Sequence, residues 1–116
     1  MSSDQDKKIE EILELFKTVN SKVFTLTRCA LLALLSLFKG GLQYRELRAA
    51  LDISDGKLIS NLNALKEMGY VKKNEFPLDQ KKVDIYEIEE KGKEELGKII
   101  SWVKMLEKLK EEKDDG

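Results

Sequence analysis

The spacing of apolar residues changes period twice along this chain, and this limits the fold more than any other feature. Up to Gly69 they recur every three or four positions, over Val83–Ile88 they alternate strictly, and after Glu90 the helical spacing returns. A purely helical bundle and an all-strand sandwich are both excluded. Ile9, Ile12, Leu13, Phe16 and Val19 predict an amphipathic helix over residues 5–20. Thr25 or Thr27 can cap a second helix that runs to Phe38 and ends at Gly40-Gly41. Leu42-Gln43 reads as a short link to a third helix, Tyr44 to Leu51, with Tyr44, Leu47 and Leu51 inward. Asp52-Ile53 makes the turn, and Ser54 is the N-cap of a fourth helix ending at Met68-Gly69. Tyr70–Phe76 and Val83–Ile88 then form a hairpin, with Pro77 opening a polar tip from Leu78 to Lys82. Glu90 starts a long last helix to about residue 112, and an acidic tail, 113–116, should fray.

Two short helices joined by a tight turn and followed at once by a hairpin make a winged helix-turn-helix. The expected fold is α+β, mainly α, in a single domain over 1–116. Its parts are an N-terminal helix (1–24), a winged core (25–89) and a C-terminal helix (90–112). A three-helix bundle with an appended hairpin would use the same pieces. The breakers, however, fall where each element of the winged unit has to stop. With 41% of 116 residues apolar, the chain has enough to bury one core.

Several chemistries are excluded by composition. One cysteine rules out an internal disulfide, and the lack of histidine removes the usual zinc sets and any histidine general base. No phosphate-binding glycine loop or nucleophile–base pair is present, so neither an enzyme, a metal nor a cofactor is expected. Cys29 could sense redox state, but between Arg28 and Ala30 in an apolar helix it reads as a small core hydrophobe. The longest apolar run, Cys29–Phe38, is too short to span a bilayer, and the start of the chain lacks an export signal. A cytoplasmic location is the expectation, and the Lys- and Glu-rich composition has a thermophile character.

The net charge of −1 hides a strong asymmetry. Residues 39–82 hold nine basic and six acidic side chains, while residues 83–116 hold seven basic and eleven acidic. A polyanion would meet that basic island and not the average. On the fourth helix Leu58, Leu62 and Leu65 share a stripe that must face the core. The opposite arc carries Gly56, Lys57, Ser60, Asn63, Ala64 and Glu67, with Asn61 on its flank. Amide, hydroxyl and ammonium groups suit base edges, although an ordinary solvated face would also be polar. Lys57 opposes the helix dipole in the first turn, and Gly56 stands where alanine would favour the helix. Both make sense if this helix end approaches phosphates. The expected DNA-facing set is Arg45, Arg48, Ser54, Gly56, Lys57, Ser60, Asn61, Asn63 and Lys66, joined by Lys72, Lys73, Lys81 and Lys82 around the hairpin. Asp79 is expected to orient Lys81 or Lys82. Docking of another protein is the alternative, and it would call for exposed aromatics and leucines on that face.

The last helix is apolar over too wide an arc to be covered by its own domain alone. Its Leu96, Ile99, Trp102, Val103, Leu106 and Leu109, with Ile9, Ile12 and Phe16 of the first helix, are the expected interface with a second copy. Back-folding of the first helix is the competing explanation for that excess.

From Leu26 to Leu96 the chain resembles the MarR/PadR-like class of winged-helix transcriptional regulators, especially their short archaeal members. The carrying residues are Ile53-Ser54-Asp55-Gly56-Lys57-Leu58, Asn61-Leu62, Leu65-Lys66-Glu67-Met68-Gly69-Tyr70-Val71, Asp79-Gln80-Lys81-Lys82 and Ile88-Glu89-Glu90-Lys91-Gly92. Lysines replace the family's wing-tip arginines, and Glu89 stands where a threonine is expected. The resemblance implies sequence-specific binding of double-stranded DNA by a homodimer. An effector ligand is compatible with it, although no residue marks one out.

Overall fold

The computed structural model describes residues 3–115, which form five helices and one three-stranded sheet. In chain order these are α1 (Ser3–Thr18), α2 (Leu26–Leu37), β1 (Leu42–Gln43), α3 (Tyr44–Leu51), α4 (Asp55–Glu67), β2 (Val71–Leu78), β3 (Lys81–Ile88) and α5 (Glu90–Asp115). The architecture is a winged helix-turn-helix, mainly helical, with a long C-terminal helix.

Local chemistry sets each boundary. Thr25 caps α2, its hydroxyl accepting from the Arg28 N–H at 3.2 Å, and Ser54 caps α4 by accepting from the Lys57 N–H at 3.2 Å. The Glu46 carboxylate accepts the Gln43 N–H at the start of α3 (2.9 Å). Asp52 closes α3 in a left-handed conformation (φ 50°), which aspartate tolerates better than most residues. Gly69, at φ +80°, ends α4, and the Tyr70 N–H returns to the Leu65 carbonyl at 2.9 Å. Lys91 donates to the Met68 carbonyl at the same helix end.

Three expectations are corrected. Leu42-Gln43 is no mere link: it pairs antiparallel with Tyr86 and Ile85, so the sheet order is β1-β3-β2. Pro77 does not open the hairpin tip but lies within β2, opposite Lys82. As β2 is an edge strand, a proline there need not cost a ladder bond. The turn contracts to Asp79-Gln80, both at positive φ (48° and 68°), and Lys81 and Lys82 move from loop to strand. Finally, α5 runs to Asp115 and does not end near residue 112; residue 116 lies outside the described residues.

Leu31, Leu32 and Leu35 of α2 meet Leu47 of α3 and Leu58, Leu62 and Leu65 of α4 in the centre of the core. Each such leucine contributes about 1.5–3 kcal/mol relative to an exposed one. Glu95 is the buried charged side chain among the described residues, at 4% exposure. It accepts the Asn20 N–H at 2.8 Å and faces the Tyr70 hydroxyl at 3.4 Å, while the Asn20 amide donates to Tyr70 at 3.1 Å. This network ties the α1–α2 connection, the end of α4 and the base of α5 together.

The molecule is long, measuring 68 × 24 × 24 Å. Its radius of gyration is 17.8 Å, against about 13 Å for a compact chain of this length. The excess comes from α1 lying against the outer part of α5, its first turns near Met105 and Leu109 and its end near Trp102. The two form an antiparallel stalk on the winged unit.

Candidate nucleic-acid interface

Leu58, Leu62 and Leu65 hold α4 to the core, which turns Gly56, Ser60, Asn63 and Glu67 outward in one exposed row. Lys57 and Lys66 are exposed beside it. Open space surrounds the position of a Cβ at Gly56, so no packing within the chain demands glycine there. Ser54 spends its hydroxyl on the α4 cap.

Two expected base or phosphate contacts are already engaged within the chain. Asn61 accepts from Arg28 Nε at 2.9 Å and donates its amide to the Lys57 carbonyl at 2.8 Å. Arg48 donates to Asp55 at 3.2 Å, and the Tyr44 hydroxyl donates to the same oxygen at 2.7 Å. That bond is the main reason the Asp55 carboxyl lies below its ordinary pKa and the Tyr44 phenol above its own. These contacts link α3 to the start of α4. Arg45, one residue into α3, is exposed.

Strand alternation divides the wing lysines between two faces: Lys72 and Lys81 on one, Lys73 and Lys82 on the other. Lys72 pairs with Glu89 at 3.7 Å, and Lys73 with Asp84 and Lys82 with Glu75 at 4.0 Å. Exposed pairs this loose contribute little, so a phosphate can compete for each ammonium. Asp79 bonds to neither Lys81 nor Lys82 among the described residues; it shapes the turn instead. Outside the expected set, Ile59 is also exposed on α4, an apolar side chain of the kind that can meet a thymine methyl. Its position just outside the polar row was the available signal.

A three-stranded sheet whose hairpin flanks a helix with a polar, outward row is the frame of a DNA reader. The profile of the winged helix DNA-binding domain family matches residues 27–107. The chain belongs to that family. It is a family of DNA binders and not of enzymes. This winged-helix domain is similar to the structure of Staphylococcus aureus MepR bound to DNA, over 97% of this chain and 86% of the other (16% identity, TM-score 0.65). It is similar to MarR over 90% and 79% (19% identity, TM-score 0.66). A MarR-like regulator of Thermotoga maritima matches over 96% and 82% (20% identity, TM-score 0.56). At these identities the likeness is one of fold. Comparison with curated protein sequences finds no match.

The surface expected to meet a second copy divides in two. Ile99, at 5% exposure, belongs to the winged-helix domain's own core, and Leu96 packs against it. Trp102 meets Phe24 edge to face, with ring centroids 5.6 Å apart. Ile12 and Leu109 are half-buried in the stalk. Ile9, Phe16, Val103 and Leu106 stay exposed, as do Leu13 and Ile100, so back-folding of α1 covers only part of the apolar arc. Beside Phe24 and Trp102 a crevice of about 500 Å³ opens, lined also by Phe16, Lys17, Val19 and Ser21. Cys29 is half-buried, and burial pushes its thiol pKa up, the opposite of what a reactive thiolate needs. Among the described residues, no helix is long and apolar enough to cross a membrane, and no three or more Cys, Asp or Glu side chains cluster as a metal site would require.

Proposed function

We propose that the chain is a sequence-specific transcriptional regulator that binds double-stranded DNA as a homodimer. Helix α4 enters the major groove, the wing lies on the adjacent backbone, and the stalks of two copies pair. The observation that carries this reading is the row Gly56, Ser60, Asn63 and Glu67, exposed between lysines on a helix clamped by three buried leucines. Such a row offers donors and acceptors to base edges at no cost to the core. A docking face for protein would expose aromatics or leucine; α4 exposes Ile59 alone among its large apolar residues, and Phe76 and Leu78 are exposed only on the wing. The dimer rests on the exposed stalk residues Ile9, Leu13, Phe16, Ile100, Val103 and Leu106. Cytoplasmic action follows from this role, and the Lys- and Glu-rich composition fits a heat-stable regulator of the short archaeal type.

Titration of random duplex DNA at two salt concentrations tests the reading. A DNA binder loses affinity steeply with salt, by about 0.9 in log–log slope for each phosphate contacted. Binding that is absent, or insensitive to salt, overturns it.

A further inference from the structure

We infer that Arg28, at the start of α2, is a DNA-backbone contact held ready beside the reading helix. The inference rests on the DNA-binding role proposed above and adds a residue outside the helix-turn-helix and wing.

Arg28 is fixed from two sides. Its Nε donates to Asn61 on α4 at 2.9 Å, and an Nη1 hydrogen goes to the Lys22 carbonyl in the α1–α2 connection. Asn61 is itself fixed by its bond to the Lys57 carbonyl. A guanidinium has five N–H donors in a rigid fork, so two anchoring bonds leave three for an outside acceptor. Among the described residues no carboxylate pairs with Arg28, whereas Arg48 on α3 has Asp55. An oriented cation without an anion is suited to accept a phosphate.

The place of its anchor, Asn61, on α4 also fits. Asp55, which holds α3, and Asn61, which holds Arg28, lie on opposite flanks of the Leu58–Leu62–Leu65 stripe. The exposed row is therefore bordered by arginines from two helices, Arg48 of α3 on one side and Arg28 of α2 on the other. A helix in the major groove has a phosphate backbone on each wall, about 12 Å apart. The arrangement gives each wall its own guanidinium. It also explains why Asn61 is withdrawn from base reading: both ends of its amide serve the chain.

The test compares salt slopes for a selected duplex. Arg28→Gln is expected to lower the slope by about 0.9, with the preferred sequence unchanged, and Arg28→Lys to keep the slope. Asn61→Ala is expected to weaken binding to all duplexes alike and to leave the slope intact. Thermal melts establish whether each variant folds. Should Arg28→Gln not fold, the wild-type protein decides: it has three arginines, so their guanidinium NMR signals can be followed singly. The Arg28 signals are expected to shift on adding duplex. A folded Arg28→Gln with the wild-type slope, or unmoved Arg28 signals, reduces Arg28 to a strut between α2 and α4 and overturns the inference. If the wild type shows no salt-dependent binding, the DNA reading falls with it.

Discussion

Whether a polar side chain serves the fold or a ligand is decided by partners that come from elsewhere in the chain. Among the described residues, Ser60 and Asn63 have no side-chain partner, and neither shares in the core stripe. Replacing both with alanine should leave stability within about 0.5 kcal/mol and leave salt-dependent nonspecific binding intact. Affinity for a selected operator should fall by about 1–3 kcal/mol for each base that is no longer read. Selection from a random duplex library with wild type and variant checks this, and identical enriched motifs would remove both residues from the readout. Asn61 carries the same chemistry as Asn63, but its use depends on Arg28 arriving from α2. No local pattern could show that. Asp55 gives a pH signature: its carboxyl lies below the ordinary value, so its stabilising effect is complete above that value and disappears as pH falls through the lowered one. Asp55→Asn should therefore melt earlier than wild type at neutral pH, with the two converging in acid, as thermal melts across pH would record.

At the scale of elements, boundaries that rest on a cap or a breaker were legible, and those that rest on pairing were not. Ser54, Thr25 and Gly69 stand where their helices begin or end, because each satisfies backbone groups that a helix terminus leaves open. Two residues cannot display a period, so β1 became visible only through its pairing with β3. Pro77 misled for a physical reason: proline marks turns, yet an edge strand has a side on which a missing N–H costs nothing. The turn it displaced is demanding, with Asp79 and Gln80 both at positive φ and neither a glycine. Gln80→Gly should relieve that strain and stabilise the chain by about 0.5–1 kcal/mol after the entropy of the unfolded glycine is counted. A rise of a few degrees in melting temperature is the expected result. A fall would show that the left-handed pair costs the wing nothing.

For the whole molecule, the distinction between core and stalk predicts opposite fates for neighbouring residues on α5. Val103 is about half exposed in the single chain, so Val103→Glu should keep its helix content and winged fold. In a paired stalk, the same charge would be desolvated at a cost of several kcal/mol. Sedimentation at micromolar concentration should find a dimer for wild type and a folded monomer for Val103→Glu, with much weaker operator binding. A monomeric wild type would remove the stalk from the interface. The wide apolar arc of the last helix was plain in the sequence. Which part of it the chain keeps for itself was not, because Ile99 and Val103 differ only in what the fold brings against them.

The base of α5 is clamped to the winged unit. A Cβ at Gly92 would lie 2.3 Å from the Tyr70 carbonyl oxygen, and the Glu89 N–H donates to that same carbonyl at 2.8 Å. From there 26 helical residues extend outward without a break, a rod of about 39 Å at 1.5 Å per residue. Such a rod is a lever with its fulcrum in the stalk. Tilting it by about 5° at the far end carries the reading head through about 3.4 Å, roughly the rise of one base pair. In the proposed dimer, a small adjustment in stalk packing would thereby be geared up to about one base-pair step at the reading head.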